Sequence, residues 1–391
     1  MKFWSLNAET PKTGQEVIAE LSEERRQNLF QALLRDLQIE GVPLLGCDAN
    51  QVHTMNAALW TTMTELSEQD DEQRACLIME RIPIEALRNF VDDFTVLKTQ
   101  RRLTDYMPEL TRISVSLVGK GVGPAILLET STRTKEEVAE KNQHNAVTAT
   151  LDETKCMAAM KAFVSRVVVG YHACPYTKDV EMATLGPIGY RYAPTADACG
   201  ALSAFWNSVC ELLSTPDNVL STTVLSLPAI GPGKSRESHN RFAAVSELIS
   251  RSLCLFRGDD VFSLVHFHPA YERNLIHPTE KPAYGQLPPQ SWLPAMLRLN
   301  GNTEEADSMT DDDLYLSNYQ RRAPHTAINI LRVQQLEAAA GPQNIVDLDL
   351  GNGLVEKASG IVTYSRNAIR FASLGKEALD AALDTEIAMQ Y

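Results

Sequence analysis

The chain has no Cys-x-x-Cys pair among its 7 cysteines, which stand at positions 47, 76, 156, 174, 199, 210 and 254. That absence disfavours zinc knuckles and iron–sulfur clusters. An odd count in apolar, helix-like settings reads as reduced thiols rather than a disulfide framework. The chain also lacks a long basic run. Its 36 Lys and Arg stand against 50 Asp and Glu, a net charge of -14, so neither nucleic acid nor an anionic membrane surface is expected as a partner. No uninterrupted apolar stretch approaches the roughly 18 residues of a membrane span. The start, MKFWSLNAETPKTG, lacks the apolar stretch of a secretory signal. This gives the expectation of a soluble protein of the cytoplasm or, after loss of a targeting peptide, of an organelle's interior. There is no internal repeat and no low-complexity tract. What is present is ordinary globular composition over 391 residues, 44% hydrophobic and 22% charged, long enough for two or three domains with their own cores.

Periodicity places the elements. Apolar positions at helical spacing run through 14–40, and Asp48 is a candidate cap for a second helix through Val52, Met55, Leu59, Trp60 and Met63. A polar break at 68–74 precedes a short strand at 76–79 and a helix over 84–105. RISVSLV and PAILLET flank GKGVG (119–123), which predicts a hairpin with a Gly-rich turn. The polar stretch 131–154 reads as a linker between an α+β lobe (1–130) and a second domain (155–377), with a tail at 378–391. In the second domain a helix over 155–171 precedes a strand at GYRYAP, a helix at ADACGALSAFWNSVCELL and a strand at STTVLSLPAI. A helix at RFAAVSELISRSLCLF and a strand at VFSLVHFHP follow. Strands alternating with helices predict a layered α/β domain with a small mixed or parallel sheet, its parallel connections right-handed. A Pro-rich insertion (277–295), an acidic turn (303–313), a loop running into a helix at SNYQRRAPHTAINILRVQQLEAAAG and a helical pair over 357–389 complete the chain.

Several places carry candidate chemistry. GKGVG sits between two strands with no following helix, which opposes a dinucleotide fingerprint. PAIGPGKS (228–235) has a preceding strand and a following helix, but Pro228 stands where a phosphate loop needs its first Gly. His266 and His268 share a face by the two-residue period, yet no third metal ligand is identifiable, so no metal is assigned. Cys174, in HACPY after a helix, is either a structural thiol or a nucleophile. The negative end of that helix opposes a thiolate, so the second role needs a nearby base or cation. SNYQRRAP (317–324) gathers an amide, a phenol and two guanidiniums before its predicted helix, a set suited to a carboxylate or phosphate ligand or to ordinary salt bridging.

His-Ala-Cys-Pro-Tyr, Phe-His-Pro and Ser-Asn-Tyr-x-x-Arg-x-Pro, in that order over residues 155–377, resemble an uncharacterised, mainly bacterial family catalogued as domain of unknown function fourteen-fifteen. Cys174, Pro175, His268, Pro269, Ser317, Asn318, Tyr319, Arg322 and Pro324 fall on its motifs, whereas His266 does not. His325 and Thr326 depart from the family's Tyr-Pro pair. The resemblance implies a shared site without naming a reaction.

Two functions compete. The first is an enzyme with Cys174 as nucleophile or redox thiol, His268 as its base, and Asn318, Tyr319 and Arg322 binding a small anionic ligand. The cofactor is unknown. The second is a non-catalytic protein whose added N-terminal lobe and insertion dock a partner or a second copy, a homo-oligomer. Three recurring chemical motifs favour the enzyme.

Overall fold

The computed structural model describes residues 14–20, 42–118, 124–273, 287–334, 336 and 345–391. The chain divides into two units that do not follow its order: Met1–Thr148, Thr195–Thr215 and Ala244–Gly258 form the first, and Ala149–Pro194, Pro216–Ala243 and Asp259–Tyr391 the second. Among the described residues no helix is long and apolar enough to cross a membrane.

The first unit carries strands β1 (Ile18–Glu20), β2 (Leu44–Cys47), β3 (Gln73–Ile78), β4 (Ile113–Val118) and β5 (Ala125–Thr130), in the order β1-β2-β3-β5-β4. Only β2 and β3 run parallel. Leu44, Cys76, Ile78, Val118 and Leu127 cluster together in its core. The hairpin β4–β5 is as the sequence predicts; its turn, 119–123, lies outside the described residues, as does most of the helical pattern over 14–40. Helix α1 (Val52–Ser67) starts after Gln51, which is extended and forms a reciprocal capping box with Thr54. The expected cap, Asp48, stands before the helix and pairs with Arg81 at 3.0 Å instead. Helix α2 (Ile84–Thr99) breaks at the non-helical Gln100 rather than running to 105, and a short turn of helix, Arg101–Thr104, follows.

The stretch expected as a linker contains helix α3 (Lys135–Ala149), none of whose residues is buried. Thr134 Oγ1 accepts the Glu137 amide at 3.2 Å and Glu137 Oε2 accepts the Thr134 amide at 2.7 Å. This pairing starts a helix without any apolar face, which is why hydrophobic periodicity missed it.

The second unit is built on β6 (Ile188–Tyr192), β7 (Thr222–Ser226), β8 (Phe262–Phe267) and β9 (Ala327–Arg332), in the order β6-β7-β9-β8. β6 and β7 are parallel, and β9 is antiparallel to both its neighbours, so the sheet is mixed and the protein is α/β. Helix α4 (Glu153–Phe163), capped by Asp152, continues as a π-helix over Val164–Gly170. Helices α5 (Ala198–Ser214), capped by Asp197, and α6 (Arg236–Leu255) follow β6 and β7 in the chain. α5 belongs to the first unit, and α6 begins in the second unit and ends in the first.

SNYQRRAP does not lead into a helix. A 3-10 turn, Leu316–Arg321, leads into β9, which sits centrally between β7 and β8. The alternating Ala327, Ile328, Asn329, Ile330, Leu331 fit a strand, and the helical appearance came from the Leu- and Ala-rich residues after it. A hairpin of β10 (Val346–Gly351) and β11 (Leu354–Ala358) went unpredicted; Gly351, Asn352 and Gly353 all take positive φ at its turn. Most of the insertion lies outside the described residues, and it ends at α7 (Leu293–Leu299). The acidic stretch forms two short helices, Thr303–Ser308 and Asp311–Tyr315. α8 (Ile361–Leu374) and α9 (Lys376–Ala388) are the predicted final pair. Residues 378–391, expected as a tail, are mostly α9. Beyond it the buried Gln390 donates to the Pro324 carbonyl at 2.8 Å and meets His325 Nδ1 at 2.9 Å.

Candidate functional site

Strand register decides which side chains meet. Ile188, Thr222 and Leu331 stand abreast, then Tyr190, Val224, Asn329 and Val265, then Tyr192, Ser226, Ala327 and Phe267. These rows share one face of the second unit's sheet. A cavity of about 170 Å³ lies on that face. Met160, Phe163, Val164 and Val168, from α4 and the π-helix, form its opposite wall, and Phe163 meets Phe267 edge-on with ring centroids 5.5 Å apart.

HACPY reaches the cavity with Cys174, Pro175 and Tyr176. The π-helix feeds this loop: the Tyr171 amide donates to Arg166 O at 2.9 Å, five residues back, and His172 takes a left-handed φ of 52°. Two consecutive residues of α8 then fix the turn. Arg366 donates to the His172 carbonyl at 2.6 Å, and Asn367 donates to the Ala173 carbonyl at 3.0 Å. Cys174 is half-buried, whereas burial pushes the Cys156 thiol of α4 up to about 11. Arg166 is held by Glu386 of α9 through two hydrogen bonds of 2.7 Å, which anchors the π-helix from outside the cavity.

SNYQRRAP contributes Gln320 and Arg321 to the cavity. Gln320 Oε1 accepts from Asn367 at 2.9 Å, so one side chain of α8 ties HACPY to the 3-10 turn. The Arg321 guanidinium lies 5.4 Å from the Phe267 ring centre. Half-buried Tyr364 completes this end. Its phenol is raised by burial, with Arg321 acting to lower it and Cys174 and Tyr176 to raise it. At the neighbouring row, Thr222 Oγ1 lies 2.8 Å from the Ile330 carbonyl, to which it donates, and 2.5 Å from Asn329 Oδ1. Among the described residues lining the cavity, Arg321 alone is charged.

The expected catalytic group does not assemble. His268 lies off the cavity face: its ring stacks on Phe242 at 4.7 Å, and His266, in the alternate row with Arg191, Leu225 and Ile328, also faces Phe242. The His268 Nδ1 lone pair accepts the Ala270 amide at 3.0 Å, which fixes the proton on Nε2, and Nε2 donates to Gly231 O at 2.8 Å. Burial pushes this imidazole down to about 3 and that of His266 to about 4. A neutral ring with both nitrogens committed to backbone has no lone pair for a thiol proton or for a metal.

The expected binding residues are structural as well. Arg322 lies over the Tyr319 ring at 4.3 Å, donates to the Tyr315 hydroxyl at 2.6 Å and to the Tyr271 carbonyl at 3.2 Å. The Tyr319 hydroxyl donates to Asp380, and burial first, then that bond, pushes the phenol up to about 12. Asn318 accepts the Arg273 amide at 3.1 Å and donates to Tyr315 O at 2.9 Å. None of these three lines the cavity. The cavity is thus bordered by Arg321 rather than Arg322, and by Gln320, Asn329 and Tyr364, which were not among the expected site residues. The Arg321-Arg322 pair was visible, but its phase within a 3-10 turn was not.

Residues 155–294 match a family model described as "Protein of unknown function (DUF1415)". This is the family that the three motifs resemble. HACPY and Phe-His-Pro fall within the matched segment, and SNYQRRAP lies past its end. No curated protein and no solved structure matches the chain.

Proposed function

We propose that the second unit is a small-molecule binding domain whose cavity presents the Cys174 thiol to its ligand. One observation carries the reading: three motifs nearly 100 residues and some 50 residues apart line a single cavity, through Cys174, Pro175 and Tyr176, through Phe267, and through Gln320 and Arg321. Packing alone gives no reason for a thiol, a guanidinium and a phenol to border one space. A dry cavity of roughly 150 Å³ accommodates benzene, so this one suits a molecule of about that size or slightly larger. The thiol is the nucleophilic group of the site. With His268 bonded to backbone on both nitrogens and no histidine among the described residues lining the cavity, binding rather than base-assisted thiol catalysis is the function supported.

The test is position-resolved alkylation of the native protein with iodoacetamide, read by mass spectrometry. Cys174 is expected to react, and small aromatic fragments are expected to protect it while leaving Cys254 unaffected. Val224→Phe, which fills the cavity from β7, is expected to remove the protection. A Cys174 that reacts only in urea, or that no fragment protects, overturns the reading.

A further inference from the structure

We infer that the N-terminus of α6 is a second binding site, one that takes a phosphate group, on the sheet face turned away from the cavity. β6 and β7 are parallel and β9 is antiparallel to β7 and β8, so β6, β7 and β8 all run the same way. Their carboxyl ends share one edge, the place where open α/β sheets hold ligands. Gly-Pro-Gly-Lys-Ser (231–235) follows β7 at that edge, Phe-His-Pro ends β8 there, and SNYQRRAP leads into β9. Hydrogen bonds join the three segments. His268 Nε2 donates to Gly231 O at 2.8 Å, the His268 amide donates to Arg321 O at 3.1 Å, and Thr326 Oγ1 donates to Ile230 O at 2.5 Å. Gly231, at a φ of 58°, lets the loop lie against α6, where any side chain would run into the Ser238 carbonyl.

The loop feeds α6, a helix of 20 residues, through Ser235. Ser235 Oγ accepts the Ser238 amide at 3.0 Å and Ser235 O accepts the His239 amide at 3.1 Å, while the Arg236 and Glu237 amides meet no acceptor among the described residues. Such a helix start attracts an anion, though it does not by itself require one. His239 supplies the requirement. It is 2% exposed, and among the described residues neither ring nitrogen has a hydrogen-bond partner. Leaving both nitrogens of a buried imidazole unpaired is costly, and a group arriving from solution relieves that cost. Helical side chains lean toward the N-terminus, and the His239 ring stands 5.7 Å from that of His268, edge to face, between the first turn and the sheet edge. Arg236 shares its helix face at i, i+3 spacing, whereas Glu237, one residue further on, does not. Arg236 and Arg322 both act on the ring as positive charges. Arg322 keeps its bonds to Tyr315 and Tyr271 and adds fixed charge from there, while Lys234 pairs with Asp384 of α9. Two cations, an imidazole N–H and a helix start suit a dianion with several acceptor oxygens, and a monocarboxylate would leave part of that set unused.

The experiment is calorimetric titration of the full chain, in chloride buffer, with inorganic phosphate, phenyl phosphate and acetate. Both phosphates are expected to bind about tenfold tighter than acetate or better, and inorganic phosphate is expected not to protect Cys174 from iodoacetamide. His239→Ala should weaken phosphate about tenfold and Arg236→Gln about threefold. Val224→Phe, which fills the cavity, should leave phosphate binding unchanged. Arg236 is exposed, so its replacement keeps the test decisive if His239→Ala folds poorly. Phenyl phosphate binding tighter than the free ion would identify a phosphate monoester as the source of the group, and the reverse order would identify inorganic phosphate. Acetate matching phosphate, a phosphate affinity that Arg236→Gln does not move, or no phosphate binding at all would overturn the inference. Phosphate that protects Cys174 and is lost in Val224→Phe would place the anion in the cavity and overturn the site at α6 as well.

Discussion

The two units bury polar groups in different ways. In the first, polar side chains pair with one another or with backbone inside the core: Asn56 donates to Val52 O at 2.8 Å, Thr61 and Ser203 share a hydrogen bond of 2.8 Å, and Trp206 donates to Ser252 Oγ at 3.0 Å. In the second, the polar residues of each motif divide. His268, Asn318, Tyr319 and Arg322 are consumed in holding loops, while Cys174, Gln320 and Arg321 border a cavity. A motif is thus half scaffold and half site, and residue type does not say which half a given member joins. The polar pairs named in the first unit stay within its core, whereas in the second unit part of each motif borders a cavity.

Acid should separate the units most. Burial lowers His239, His266 and His325 to about 4 and His268 to about 3 in the second unit, against His53 at about 4 in the first. An unfolded histidine titrates near 6.5, so below that value the unfolded chain binds protons that the folded one refuses. The stability is complete above about pH 6.5 and is lost as pH falls toward 4 and then 3. Each histidine contributes up to about 1.4 kcal/mol per pH unit across its window, so the second unit's loss approaches about 5 kcal/mol per unit. Amide exchange at pH 7.5 and 5.5, mapped by peptide, should show protection falling further in the second unit. Equal loss in both would erase the comparison.

His268→Ala comes next, at about 3 kcal/mol, because it removes a ring stacked on Phe242 and strands a buried carbonyl and amide. Denaturant titration measures the loss. The pH profile of Cys174 alkylation should keep its midpoint, since no proton passes between the two; a shifted midpoint with unchanged stability would make His268 the base after all.

The adjacent arginines give a finer contrast. Arg322→Gln should cost about 1–2 kcal/mol by removing its stacking on Tyr319 and its bond to Tyr315. Arg321→Gln should cost less, about 0.5–1 kcal/mol for its contact with the Phe267 ring, and its effect should appear chiefly in ligand affinity. Reversed effects would mean that the scaffold and the site have been exchanged. The most local effect is expected at the margin of the first unit. Thr134→Ala should fray α3 at a cost of about 1 kcal/mol or less, visible as faster exchange over 135–140 and nowhere else.

The sequence conveyed the second unit's early strands because β6, β7 and β8 are short apolar or β-branched runs bounded by Pro, Gly and Ser. β9 was hidden by the Leu- and Ala-rich segment that follows it. The hairpin β10–β11 is signalled by Asn352-Gly353 but has little hydrophobic alternation, because both strands are rich in Asp, Glu and Lys. Of the site, the three motifs and Cys174 were legible, since type and order survive in one dimension. The identity of the cavity arginine was not, because a one-position shift around a tight turn moves a side chain from the scaffold into the cavity.

The π-helix before Cys174 is, in chain terms, an α-helix that has absorbed one extra residue. Each α-helical residue turns the chain by about 100°, so the loop beyond Gly170 leaves at a bearing that the extra residue sets. Deleting Ser165 would let the segment relax to α and rotate His172–Tyr176 about the axis by that angle. Arg366 and Asn367 would then face empty positions where the His172 and Ala173 carbonyls now stand. A single codon of length, together with the two side chains that meet the loop it redirects, therefore aims the thiol.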